Sequence, residues 1–197
     1  MQFQPFEQGI EVNGRTVHSV VDGLGAFQNL AKRYLVPEGI GTEASGKLEL
    51  DLDGWYPHDA WLRAFARIAK DIGEETLFQI GRSIPKNAAF PPSVVDIHSA
   101  MQAIDVAYHL NHRKNRAVMF DVATGAMQEG IGHYRYEAVK DPPSILVVCH
   151  NPYPCAFDRG IITAMGQKFE LTSRVSHEDE ATCRAKGGST CTYRVTW

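Results

Sequence analysis

The chain of 197 residues is 44% hydrophobic and carries 20 Lys and Arg against 23 Asp and Glu, a formal charge of −3. That composition suits one globular domain with a sizeable core, and cations scattered singly leave no basic stripe to follow a phosphate backbone, which argues against nucleic acid as a partner. No apolar run approaches bilayer length, and residues 1–5 lack the basic and apolar regions of a secretory leader, so a soluble cytoplasmic protein is expected.

Asn13-Gly14, set between Ile10-Glu11-Val12 and Thr16-Val17, is the pair that suits a tight turn, and the chain is expected to open with a β-hairpin. Phe27, Leu30, Ala31, Tyr34 and Leu35 recur at helical spacing over 25–36, and Pro37 stops that helix. The loop 39–46, rich in small residues, is the linker candidate. It divides a hairpin-helix extension, 1–46, from a ligand-binding domain, 47–197. Polar and apolar residues alternate over 47–52, as in a strand with one buried face. Pro57 then suits a first helical turn, and Trp61, Leu62, Phe65, Ile68, Ala69 and Ile72 form one apolar face up to Gly73. A second helix over 74–84 places Leu77, Phe78 and Ile80 beneath the first.

Ser93 is the expected N-cap of a long helix to about residue 113, with Val94, Ile97, Met101, Ile104 and Tyr108 as its core seam. Beyond it the pattern is mostly β: 117–122, 130–139 and the run 145–148 that ends at Cys149. A short helix over 160–169, a strand over 170–176 and a last strand over 190–196 complete the chain. Helices clustered before antiparallel-looking strands indicate an α+β fold, central helices packed on a mainly antiparallel sheet, in place of alternating βαβ units.

All four cysteines, Cys149, Cys155, Cys183 and Cys191, fall in the last 49 residues. In a reducing compartment they are thiols or metal ligands before they are disulfides, and thiolates satisfy the tetrahedral preference of zinc. Cys149 ends a strand, Cys155 lies in a Pro-bracketed loop, and the Gly187-Gly188 turn can bring Cys183 and Cys191 together. Unligated buried thiols are the alternative.

The segment Cys183-Arg184-Ala185-Lys186-Gly187-Gly188-Ser189-Thr190-Cys191-Thr192-Tyr193-Arg194-Val195 resembles the terminal signature of 4-vinyl-reductase domains, C-x-x-x-G-x-x-x-C before an aromatic strand, and 157–169 resembles the helix that precedes it. The resemblance implies a sensor-type domain with a hydrophobic effector pocket and a structural zinc, on a fold related to haem-nitric-oxide-binding (H-NOX) domains. Zinc-binding members carry a further cysteine where this chain has Glu180, so Cys149 or His177 would supply the fourth ligand. Pocket candidates are Trp61, Phe65, Phe78, Met101, Tyr108, Tyr134, Phe157 and Met165, all aromatic or flexible apolar residues near the predicted helix and sheet faces.

On the long helix His98, Gln102, Asp105, His109 and His112 share a polar face, which either lines a cavity or is simply solvated. The resemblance to the related fold implies His98 or His109 as a candidate haem or metal ligand, although the tyrosine-serine-arginine triad that grips haem propionates in that family is missing, the nearest stretch being Tyr134-Arg135-Tyr136-Glu137. The family's name also raises a vinyl-reductase enzyme or accessory factor in tetrapyrrole metabolism. Against it, the chain lacks a G-x-S-x-G elbow, a Walker A loop, H-E-x-x-H and a dinucleotide fingerprint. Asp158-Arg159 reads as a helix cap, and 178–180 as a solvated acidic turn. The expected protein binds a small apolar or aromatic molecule and signals through a homodimer, with 1–46 as the dimer contact, or through a separate output protein.

Overall fold

The computed structural model describes residues 2–178 and 180–197, leaving Asp179 of the acidic turn outside the described residues. In chain order the elements are β1 (Ile10–Asn13), α1 (Gly14–Leu24), a 3-10 turn (Gly25–Leu30), α2 (Ala31–Leu35), β2 (Thr42–Ala44), β3 (Lys47–Glu49), β4 (Trp55–Pro57), α3 (His58–Asp71), α4 (Glu74–Asn87), α5 (Ile97–Leu110), β5 (His112–Lys114), β6 (Ala117–Val118), β7 (His133–Lys140), β8 (Pro143–His150), α6 (Cys155–Phe169), β9 (Arg174–His177) and β10 (Cys191–Thr196). The fold is α+β. One antiparallel sheet runs β4-β1-β5-β6 and a second β7-β8-β10-β9, with β2-β3 a separate two-stranded ribbon.

Asn13-Gly14 does not turn a hairpin. Asn13 is the N-cap of α1, its side chain accepting a hydrogen bond from the Arg15 N–H, and β1 pairs instead with β4 and β5, more than 40 and about 100 residues away. The same residue type serves a turn or a cap, and the apolar stripe of Val17, Val20 and Leu24, all buried, favours the helix. The helix expected over 25–36 is broken: Gly25 has φ +53° and Phe27 leaves helical geometry, so only Ala31–Leu35 is α. The strand expected over 47–52 shrinks to the ribbon strand β3.

The long helix starts later than Ser93. Asp96 caps it, accepting from the Ser99 N–H at 2.7 Å, while Ser99 Oγ accepts the Asp96 N–H at 3.0 Å, a reciprocal capping box. In contrast α6 begins five residues before the expected start, directly after Pro154. It crosses α4 at two glycines. A Cβ on Gly81 would meet the Phe157 carbonyl oxygen at 2.1 Å, and one on Gly160 would meet that of Phe78 at 2.2 Å, so the two backbones approach only because both lack one.

Trp61, Leu62, Phe65 and Ile68 of α3, Leu77 and Ile80 of α4, Met101 of α5 and Met165 of α6 are buried in one continuous core with Val147 and Tyr193 of the second sheet. No helix among the described residues is long and apolar enough to cross a membrane.

Candidate functional site: an apolar cavity joined to a thiolate cluster

A narrow cavity of about 40 Å³ lies where α1, α4, α5 and α6 meet β7. Its apolar wall is Ile84, Ala88, Phe90, Ile104, Ala107, Phe157 and Ile161, and six polar residues, Thr16, Tyr108, Asn111, His112, Tyr134 and Tyr153, complete it. Each of the six is engaged by protein. Asn111 Oδ1 accepts from Thr16 Oγ1 and the Ala89 N–H, and its amide donates to the carbonyls of Ala89 and Ala107. Tyr108 donates to the Ile131 carbonyl at 2.8 Å. His112 Nδ1 donates to the Tyr108 carbonyl at 2.7 Å, which leaves Nε2 to accept the Tyr153 hydroxyl at 2.9 Å. The ring is therefore neutral, and burial pushes its pKa down to about 4. The cavity presents carbon.

Of the expected pocket residues, Tyr108, Tyr134 and Phe157 line this cavity. Trp61 and Phe65 pack edge to face at 4.5 Å in the core, with Phe65 4.9 Å from Phe157 behind the wall. Phe78 lies under the guanidinium groups of Arg82 and Arg159, and Met101 and Met165 are buried without reaching the lining. Behind His112 sits a residue the sequence did not single out: His58, fully buried at the start of α3, 5.0 Å from His112, with both ring nitrogens unpartnered.

The wall continues into a buried ion pair. Tyr134 donates to Asp158 Oδ1 at 2.5 Å, and the other Asp158 oxygen is paired with Arg184, both side chains fully buried. Arg184 also donates to the carbonyls of Asn151 and Tyr153. Asp158 is thus not a helix cap, because α6 starts at Cys155 and carries position 158 inward. Burial pushes its carboxyl up to about 6 while Arg184 opposes that shift.

Arg184 stands between the last two cysteines, and its backbone N–H reaches Cys191 Sγ at 3.4 Å. The sulfurs of Cys155, Cys183 and Cys191 lie within 4.8 Å of one another, the hairpin having brought two of them to the start of α6. Cys155 and Cys191 are 3.2 Å apart, and Gln2 Nε2 donates to Cys155 at 2.8 Å. The hydrogen bond from Cys155 holds the Cys191 thiol low, at about 4, against the opposing effect of burial, and correspondingly raises Cys155. Cys149, expected as a ligand, is not in this group: it is fully buried on β8 and interacts with Asp158. His177 stacks on Tyr193 at 4.7 Å and lines one cleft with Cys155 and Cys183, its Nε2 buried and unpaired. The three sulfurs are donors of the kind zinc prefers, and the His177 nitrogen lies outside the group they form.

The histidines of α5 do not face the cavity as a stripe. His98 Nδ1 meets the Tyr136 hydroxyl at 2.7 Å and its ring meets Trp197 edge-on. His109 forms a second group with Asp105 and His133. Burial lowers the pKa of His109, whereas at His133 burial is outweighed by Asp105 and Glu129, which raise it.

These positions bear on haem. An axial ligand must offer the iron a free nitrogen, sulfur or oxygen, but neither His98 nor His109 is on the cavity wall, every polar wall side chain is engaged, and no Lys or Arg stands there to meet propionates. The residues of the cavity do not fit the group.

No family model and no curated protein matches the sequence. Among solved structures, the chain is similar to an H-NOX protein from S. oneidensis in its Fe(II)NO ligation state, with a TM-score of 0.62 at 13% identity over 93% of this chain and 98% of that one. A mutant H-NOX protein from S. oneidensis in the Fe(II) state gives 0.61 at 14% identity over 93% and 94%. A structure described for modulating haem redox potential through porphyrin distortion gives 0.57 at 17% over 94% of each chain. At such identities the likeness concerns architecture, and it favours the H-NOX side of the resemblance over the 4-vinyl-reductase side: this chain has an H-NOX-like α+β fold.

Proposed function

We propose that the chain is a sensor-type binding domain that takes a small, mainly apolar or aromatic molecule into the cavity and stabilises its C-terminal hairpin with zinc on Cys155, Cys183 and Cys191, His177 completing the tetrahedron. The observation that carries this reading is the satisfaction of all six polar wall residues, which leaves a cavity of about 40 Å³ with only carbon to offer, a space that a small apolar molecule would widen by moving the side chains around it. Signal output would pass to a second copy, with residues 1–46 at the contact, or to a separate protein. The thiolate end fits the 4-vinyl-reductase resemblance, without the fourth cysteine.

A second reading, a haem-binding gas sensor, is the one the solved structures favour, since those proteins are described with iron, nitric oxide or porphyrin. It would require Tyr108 or His112 to give up its present partner. Native mass spectrometry of the purified protein separates the two. The first reading expects retained zinc and, where a ligand is carried along, an organic mass well below that of haem. Retained haem supports the second, and ready alkylation of all four thiols in the folded state contradicts the metal site. Cys183→Ser should release the zinc and lower stability, because metal binding and folding of the hairpin are linked.

A further inference from the structure

The group formed by Asp105, His109 and His133 has no part in the cavity or the thiolate cluster, and its side chains could hold a metal ion. One ligand atom from each residue lies within 4.8 Å of the others. His109 Nδ1 donates to the Asp105 backbone carbonyl at 2.8 Å, so its lone pair is on Nε2, which is buried and meets no partner. The His109 side chain is fully buried. An imidazole fixed through one nitrogen with the other free is the arrangement that metal-binding histidines adopt.

His133 repeats it. Its Nε2 is held by the Glu129 carboxylate at 3.2 Å, and its Nδ1 lies 3.0 Å from Asp105 Oδ2. Asp105 is itself oriented, because Oδ1 accepts the Tyr134 N–H at 2.8 Å and leaves Oδ2 toward the histidine. The two rings are 4.9 Å apart and inclined at 31°. Two imidazoles and a carboxylate, each steadied by a further contact, are contributed by the last two turns of α5 and the first residue of β7.

We propose that Asp105, His109 and His133 bind a divalent transition-metal ion, with Glu129 and the Asp105 carbonyl fixing the two rings. Borderline ions such as zinc, iron(II) or cobalt(II) suit imidazole with carboxylate, whereas calcium and magnesium prefer all-oxygen sites. The ion would replace the proton that Asp105 and His133 now share. It would also tie α5 to β7 beside Tyr108 and Tyr134 of the cavity wall.

Cobalt(II) is the probe. Titrated into metal-free, reduced protein, it should show a binding step without sulfur-to-metal charge-transfer absorption, apart from any step that carries it at the cysteines. Asp105→Asn and His133→Gln should each weaken that step at least about tenfold and leave the thiolate step in place. His133 is partly exposed, so its variant should keep the wild-type circular dichroism, a check that the buried His109 does not offer. Persistence of the step in Cys183→Ser supports the site even where the thiolate step is lost. Binding that is only of the thiolate kind, or a step unaffected by both variants, would overturn the proposal.

Discussion

The cavity and the thiolate cluster share one buried ion pair, yet they treat their polar groups in opposite ways. Around the cavity, Thr16, Tyr108, Asn111, His112, Tyr134 and Tyr153 all turn their polar atoms to protein partners, so a wall rich in tyrosine and histidine is chemically apolar. At the hairpin, three sulfurs converge beside an unpaired imidazole nitrogen, so a region of ordinary composition concentrates donors. Residue type does not tell the two apart. Satisfaction does, since a buried polar group that already has its partner offers nothing to a ligand.

Cutting the joint between the regions should have the largest effect. Asp158→Asn leaves Arg184 buried without its counter-ion and should cost about 3–5 kcal/mol of stability, read from urea unfolding. A loss below about 1 kcal/mol would mean that the regions stand independently. Acid should act next, and through the cavity side. His112 titrates near 4 in the folded chain against about 6.5 unfolded, so between these values the unfolded chain binds more protons and stability falls as pH falls. At pH 5 that amounts to about 2 kcal/mol from His112, with His58, also lowered by burial and by His112, acting in the same direction. Unfolding midpoints at pH 7 and pH 5 measure it, and His112→Gln should flatten the dependence. The smallest effect on stability belongs to Ala107→Leu, which fills the narrow cavity with three further carbons at a cost of about 1 kcal/mol. Toluene binding, followed by calorimetry, should nevertheless disappear. Undiminished toluene binding would show that the cavity is not the ligand site.

Periodic helices were legible in the sequence. The stripe from Trp61 to Ile68 and the seam from Ile97 to Tyr108 both fold as helices with those residues buried, because a 3.6-residue repeat has one face to hide. Residues whose role depends on distant partners were not. Asn13 serves a turn or a cap equally well, and β1 finds its partners far along the chain. Asp158 read as a helix cap and Arg184, 26 positions on, only as part of the hairpin signature, until the hairpin folds back on α6. The cysteine grouping was three parts legible, since Cys155, Cys183 and Cys191 converge, while Cys149 alternates inward on β8 toward Asp158. His58 carried no signal beyond its place before the α3 stripe, and a buried histidine without partners cannot be recognised from one position.

We propose that this H-NOX-like fold takes a small apolar molecule in place of haem. Adding haemin to the purified, reduced protein and following the Soret band tests it most directly. The account predicts no stoichiometric complex, with toluene binding unchanged by the addition. A sharp, saturable Soret band at one haem per chain, lost in Tyr108→Phe or His112→Gln, would contradict it.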